Sequence, residues 1–406
     1  MSVAIGVTAE QAEGDRLARR NVLVLAAAQA LAGANNGVIV ATGGLLGAML
    51  APDKSLATLP ISVMVLGMWA GTLPVGALAR RYGRRSAYLV GTGFGCLAGL
   101  IGYVAIMRGS FLLYLTATFC GGLYAAAHVS YRFAAADTAS PAFRPKAVSW
   151  VLAGGLFAAF LGPELIIVTK DLVPPYLFAA SYLAQAVIAV VAALLLLLLH
   201  APKPATNAGL RGGRPLAELA RQPRLIVAVI CGVASYALMN LVMTSAPLAM
   251  VDCGHSVTAA ALGQQWHVLA MYAPSFFTGS LVARFGVERV ILTGLVLIGA
   301  SAAVGFAGIT VGHFWLALVL LGLGWNFGFV GATTMVTECH RPEERNKVQA
   351  FNDFLVFGSM AVGSFLSGTL LANYGWGAVN VVVFPIVLVA VGMLGWHALR
   401  PRPQGV

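Results

Sequence analysis

Of the 14 acidic residues in this chain, two, Glu164 and Asp353, fall inside long apolar runs. A carboxylate in hydrocarbon costs roughly 3 kcal/mol, so such a group is kept for pairing with a cation, binding a cationic ligand or carrying a proton. Glu164 follows Pro163 in FLGPELI, where it can also cap backbone groups that the proline leaves unpaired. Other polar side chains share these runs: Gln29, Asn35 and Asn36; His128 and Tyr131, with Tyr124 on the same helical face; Asn240; Gln264, Gln265 and His267; Asn326; and Asn352 beside Asp353. Amides, imidazoles and phenols offer hydrogen bonds and proton exchange, and Trp266, Tyr272 and Trp325 offer flat apolar faces. His267 reads either as a substrate or proton contact or as a packing group. Asn240 and Asn326 either reach a solute or bridge helices. Arg132, one residue after Tyr131, could bind an anion, but its place near the end of a run favours a topological role.

These residues form no catalytic constellation. Zinc spacing, a phosphate-binding loop and an acidic pair of the Mg²⁺-binding sort are all missing, so no metal, cofactor or enzymatic activity is expected. Cys96, Cys120, Cys231, Cys253 and Cys339 are scattered without disulfide or metal spacing.

The elements that must position the polar groups follow from composition. Apolar residues make up 59 % of the chain and charged residues 10 %, with mean hydropathy +0.85. Soluble domains carry about 25 % charge, so the lipid bilayer is the expected solvent. Twelve runs are long enough to cross it as helices, near 21–50, 57–79, 86–106, 111–133, 147–169, 176–199, 224–250, 257–283, 290–308, 313–336, 348–371 and 379–398. The expected organisation is a tail over 1–20, a six-helix half over 21–199, a linker over 200–223, a second half over 224–398 and a tail over 399–406.

Threading these spans puts 22 of the 25 Lys and Arg on one side; only Lys54, Arg108 and Lys170 fall on the other. The positive-inside rule then makes that side, and both termini, cytoplasmic. The net charge of +11 is thereby a topological signal, and no nucleic-acid partner is expected. Residues 1–20 lack the pattern of a signal peptide.

The chain is internally duplicated. MVLGMWAGTLPVGALARRYG (Met64–Gly83) aligns without gaps to HVLAMYAPSFFTGSLVARFG (His267–Gly286), with identities that include Gly76/Gly279, Arg81/Arg284 and Gly83/Gly286. DTASPAFRPK (Asp137–Lys146) repeats as ECHRPEERNK (Glu338–Lys347). Two six-helix halves in the same orientation follow from this pattern.

With twelve spans, duplicated halves and the loop sequence GALARRYGRR, the chain resembles the major facilitator superfamily of secondary transporters. Gly76, Leu78, Ala79, Arg81, Gly83, Arg84 and Arg85 match that family's loop motif, and Arg80 stands where an aspartate is usual. The arginine common early in helix four of proton-coupled members is replaced by Thr118. The resemblance implies an all-α membrane protein of two pseudo-symmetric halves that works as a monomer by alternating access in a bacterial inner membrane. It places helices one, two, four, five, seven, eight, ten and eleven around a central cavity. The polar residues named above concentrate on those helices, with Gln185 the main exception.

The expected substrate is a small neutral or weakly charged organic solute, and protons are candidate partners. The resemblance extends to importers of vitamin-like heteroaromatics such as riboflavin and to drug exporters; the missing arginine favours import. A non-transporting sensor or assembly protein is the alternative of another class. Gly76, Arg80, Arg81, Gly83, Arg84, Arg85 and Asp353 are expected to form a conformational latch, with Arg80 and Asp353 as a charge pair between helices two and eleven. The alternative is that Arg80 snorkels and Asp353 is hydrated.

Overall fold

The computed structural model describes residues 9–53, 56, 59–201 and 213–399. Most of the expected linker, the outer parts of both tails, and Lys54, Lys203, Arg211, Arg400 and Arg402 lie outside them. The described residues form helices and no strands. The first half contains α1 (Ala9–Leu50), α2 (Leu59–Tyr82), α3 (Arg84–Met107), α4 (Phe111–Val129), α5 (Tyr131–Thr138), α6 (Arg144–Thr169) and α7 (Ala179–Leu196). A short α8 (Leu216–Leu219) precedes the second half: α9 (Pro223–Asp252), α10 (Val257–Tyr272), α11 (Ser275–Phe285), α12 (Val287–Ala307), α13 (Val311–Thr337), α14 (Arg345–Val381) and α15 (Val383–Ala398). Among the described residues, eleven helices are long and apolar enough to span a membrane, and twelve when the α10–α11 pair, bent by 42°, is one span.

The breaks have local causes. Pro274 lacks the N–H that would carry α10 into α11. Gly375, at φ 75°, ends the eleventh span inside α14 and lets the chain turn into the twelfth. The repeated glycines Gly83 and Gly286 sit at φ 88° and 90°, in the left-handed region that a side chain resists, and join α2 to α3 and α11 to α12. Beside each, an arginine lies over its neighbouring ring: Arg81 over Tyr82 and Arg284 over Phe285, both at 5.2 Å. Ser110, Ser256 and Thr310 cap α4, α10 and α13 by accepting backbone N–H groups.

Lipid supplies no hydrophobic drive between helices, so close backbone approach decides how the halves meet. Gly76 on α2 lies against Ala350 and the Asn346 carbonyl on α14. Its repeat partner Gly279 on α11 lies against Pro145 and Lys146 on α6. Between described residues, the hydrogen bonds and ion pairs that cross from one half to the other all lie toward the end carrying the basic loops. The bundle is closed at that basic end.

Candidate functional site

The closure is built on one face of α14, where Arg345, Gln349 and Asp353 recur at a spacing of four toward the first half. Asp353 accepts from Arg132 at 2.5 Å, and both side chains are buried. Arg132 hangs from α5, also donates to the Val129 carbonyl, and lies between Phe133 and Phe329 at 4.4 and 4.7 Å from their ring centres. Asn352 donates to the same Asp353 oxygen at 3.2 Å.

A second cluster surrounds Asp137. Arg84 bonds it through two nitrogens at 2.9 and 3.1 Å, Arg345 approaches to 3.6 Å, and Gln349 donates at 3.5 Å. Arg84 also donates to the Gln349 side-chain oxygen, tying α3 to α14. Gln349 in turn contacts His340 Nε2 at 3.0 Å. Burial holds the His340 imidazole below its ordinary value of 6.5, so the neutral ring accepts from the amide. Glu338, the repeat counterpart of Asp137, serves no such role: it pairs with Arg224 inside its own half.

The expected Arg80–Asp353 pair is not formed. Helix α2 does meet α14, but through Gly76 on Ala350 and Trp69 on Phe354. Arg80, Arg81 and Arg85 are exposed, and of the four loop arginines only Arg84 turns inward. Arg132, expected to be topological, is the real partner of Asp353.

A second cross-half seam joins α6 to α11. The Ser149 hydroxyl donates to the Ser275 carbonyl and accepts the Gly279 N–H at 3.1 Å. Asn326 on α13 braces the same break, donating at 2.6 Å to the Met271 carbonyl and to Ser275 Oγ, and accepting from Thr278. The polar side chain thus satisfies backbone that Pro274 disturbed.

Nearer the middle, aromatic rings replace ion pairs. Trp69 and Tyr272 are repeat counterparts, and each rests on a glycine of the opposite half, Gly358 and Gly155 respectively. Trp69 is 5.1 Å from Phe354; Tyr272 is 5.8 Å from Trp325, which joins Tyr236, Phe329 and Phe357 in one cluster. Trp69, Tyr236, Tyr272 and Phe354 are only half-buried, and so form the accessible rim of these seams.

The other sequence-predicted residues divide into two groups. Asn35 is turned away from the seam: it and Gln185 on α7 clasp each other, by Nδ2 to the Gln185 carbonyl at 2.9 Å and by Gln185 Nε2 to Asn35 Oδ1 at 3.0 Å. Asn240 donates to the Met360 carbonyl at 3.3 Å, bridging α9 and α14. His267 is fully buried, with Nδ1 at 2.8 Å from the Leu318 carbonyl, which makes it a brace between α10 and α13. Tyr131 is buried against Tyr88 at 4.6 Å. Asn36 remains half-buried, its Nδ2 3.3 Å from His128 Nε2, while its Oδ1 and His128 Nδ1 have no hydrogen-bond partner. Gln264 is also half-buried, with Oε1 unpaired. Glu164 is exposed on α6, far along the helix from the basic-end seam.

Sequence reasoning missed Gln349, Ser149 and Trp69. Trp69 carried a signal, because it lies in the repeated segment opposite Tyr272. Small or neutral polar residues such as Ser149 carry none.

The chain matches the family model of the Major Facilitator Superfamily over residues 25–273 and 228–406. It is 51 % identical over 391 residues to the riboflavin transporter RfnT of Brucella anthropi, covering 96 % of this chain and 97 % of that one. It is 30 % identical over 404 residues to YdeG of Bacillus subtilis, an uncharacterized transporter of the same superfamily type, covering 95 % and 93 %. Its fold aligns with the solved structure of the superfamily transporter FucP at a TM-score of 0.75 and 14 % identity, over 92 % of this chain and 98 % of that one. Twelve spans in two repeated halves, closed against each other by a buried polar network at one end, are the architecture of a transporter and not of an enzyme, and this chain belongs to the Major Facilitator Superfamily.

Proposed function

We propose that this transporter imports riboflavin, or a flat heteroaromatic of similar size, across a bacterial inner membrane, with its basic end cytoplasmic. The observation that carries the reading is the set of half-buried rings, Trp69, Tyr236, Tyr272 and Phe354, along the seams between the halves. Flat apolar faces suit a fused aromatic ring system. Asn36, His128 and Gln264, each with an unpaired polar atom, are the candidates for the solute's hydrogen-bonding edge. The 51 % identity to a riboflavin transporter over nearly the whole of both chains supports the same substrate class. The two halves rock about this site as units, with residues 200–223 as their link.

The test is uptake of labelled riboflavin into cells that cannot make it, with the chain supplied on a plasmid. Uptake is expected with the parent chain, and Trp69→Ala and Tyr272→Ala are each expected to raise KM about 3- to 10-fold. Riboflavin uptake no greater than in cells without the chain, combined with lowered accumulation of fluorescent drugs, would replace import by efflux.

A further inference from the structure

Helices α3 and α7 pack side by side within the first half, and their contact is uneven along its length. Away from the basic end it is tight. A β-carbon at Gly99 would lie 2.5 Å from the Tyr182 carbonyl oxygen and 2.6 Å from the Ala186 nitrogen, and Gly102 meets the Tyr182 ring. Toward the basic end the helices draw apart. Nothing lies within 4 Å of a β-carbon built at Gly93, and a groove of about 210 Å³ opens there between the two helices. Leu89, Thr92 and Cys96 line it from α3, and Ala189, Ala193 and Leu197 from α7. The Thr92 hydroxyl is spent on the Leu89 carbonyl at 2.8 Å, so the walls offer hydrocarbon and no free hydroxyl.

The Gly99 contact closes the far end of the groove. Its near end runs out at Arg85, which stands one turn before Leu89 on the same face of α3. Arg84 is buried in the Asp137 cluster, but Arg85 is exposed and forms no ion pair among the described residues. From Arg85 to Cys96 the helix rises about 16 Å. That is half of a hydrocarbon core of about 30 Å, the depth of one leaflet.

We propose that this groove holds an acyl chain of one anionic phospholipid, drawn from the leaflet at the basic end, with the lipid phosphate on Arg85. Apolar walls take hydrocarbon without stranding a polar group, and a free guanidinium fits phosphate oxygens with two parallel bonds. A second copy of this chain is the competing occupant. Two copies related by a two-fold axis along the membrane normal would set Arg85 against Arg85 at one depth, so the charge that suits a phosphate opposes that pairing. Both walls belong to the first half, so occupancy of the groove leaves the seams between the halves in place.

The test uses full-length protein in a neutral detergent, titrated with phosphatidylglycerol or phosphatidylcholine of identical acyl chains and read by native mass spectrometry. One phosphatidylglycerol is expected to bind about 5-fold more tightly than phosphatidylcholine, the worth of one cation near an anionic headgroup. Arg85→Gln is expected to erase that preference. Arg284→Gln, an exposed arginine of the second half at the same end, is expected to keep it. Gly93→Phe, whose ring fills the groove, is expected to lose the tight lipid, and its unfolding temperature in phosphatidylcholine, matched to the parent, shows that it is folded. Ala193→Phe fills the groove from α7 and should do the same.

Location is read separately. Phosphatidylglycerol carrying a photoreactive diazirine in mid-chain is expected to crosslink within 89–96 and 189–197 in the parent and not in Gly93→Phe. Equal affinity for the two lipids, equal losses in Arg85→Gln and Arg284→Gln, or crosslinks spread over the other helices would each overturn the proposal. A dimer present in the parent and absent in Gly93→Phe would also overturn it, and would give the groove to a second copy.

Discussion

Gly279→Ala gives a direct test of the reasoning about closure. A β-carbon built at Gly279 lies 2.5 Å from the Pro145 carbonyl oxygen and 2.6 Å from Lys146 Cα. Both are backbone atoms of α6, so no side-chain rotation can absorb the clash. Ordinary contact begins near 3.4 Å, which means α6 and α11 must separate by about 0.9 Å. Overpacking of this kind costs about 1–3 kcal/mol. In an exposed helix the same change would be favourable by about 1 kcal/mol, so a loss is informative. Because the clash joins the two halves, its cost falls on the closed state alone. A difference of that size shifts the closed-to-open ratio by about 5- to 150-fold toward an open basic end. A spin-label pair at Arg85→Cys and Arg341→Cys, both exposed at the basic end, reads that ratio in full-length protein whose five native cysteines are replaced. Gly93→Ala is the control, since nothing lies within 4 Å of a β-carbon there. If the Gly279→Ala distribution matches that of Gly93→Ala, the seam does not govern closure.

Four further outcomes are expected. Arg84→Gln should lower the thermal unfolding temperature in detergent and open the basic end, since it strips a buried carboxylate of its main cation at a cost of about 3 kcal/mol; Arg80→Gln, at an exposed site, should stay within about 0.5 kcal/mol by the same assay. Ser149→Ala should favour the open state by about 1–2 kcal/mol in the spin-label distances, through loss of two cross-half hydrogen bonds. His267→Leu should reduce thermal stability while leaving riboflavin KM within about twofold, because the imidazole braces α10 on α13; a large KM change would return it to the solute path. Glu344 receives three bonds from Arg214 of the linker, and that guanidinium holds its carboxyl well below the usual 4.5. A depressed carboxyl contributes its stabilisation above the unfolded value and loses it as pH falls through the folded one. Hydrogen exchange of Leu216–Leu219, corrected for intrinsic rates, should therefore stay constant from about pH 8 to 5, rise only in stronger acid, and be fast at all pH values in Glu344→Gln.

Much of the fold is legible in the chain because its signals are local. Apolar runs of spanning length appear as the long helices, and Gly83 and Gly286 appear as turns where the repeat puts them. The pairing of helices two and eleven is what the family resemblance implies, and α2 does meet α14. The polar inventory is legible too, but its uses are not. Asn35 and Asn326 look alike in sequence; one clasps Gln185 on an outer helix and the other repairs a break in its neighbour. Asn36, one residue from Asn35, turns through about 100° to meet His128. Helical phase separates these roles, and a hydropathy pattern reports phase only coarsely.

From its sequence alone this protein is a duplicated, twelve-span membrane chain with its positive charge gathered at one end, because hydropathy, repeat spacing and charge placement are properties of the chain read in order. Which cation meets Asp353 was decided only in three dimensions. Arg80 and Arg132 are both basic residues near the same end of the first half, and composition does not distinguish them. Arg80 stays exposed on α2 beyond the Gly76 contact with α14, while α5 presents Arg132 between two rings directly across from the carboxylate. Close packing of helices chose the partner.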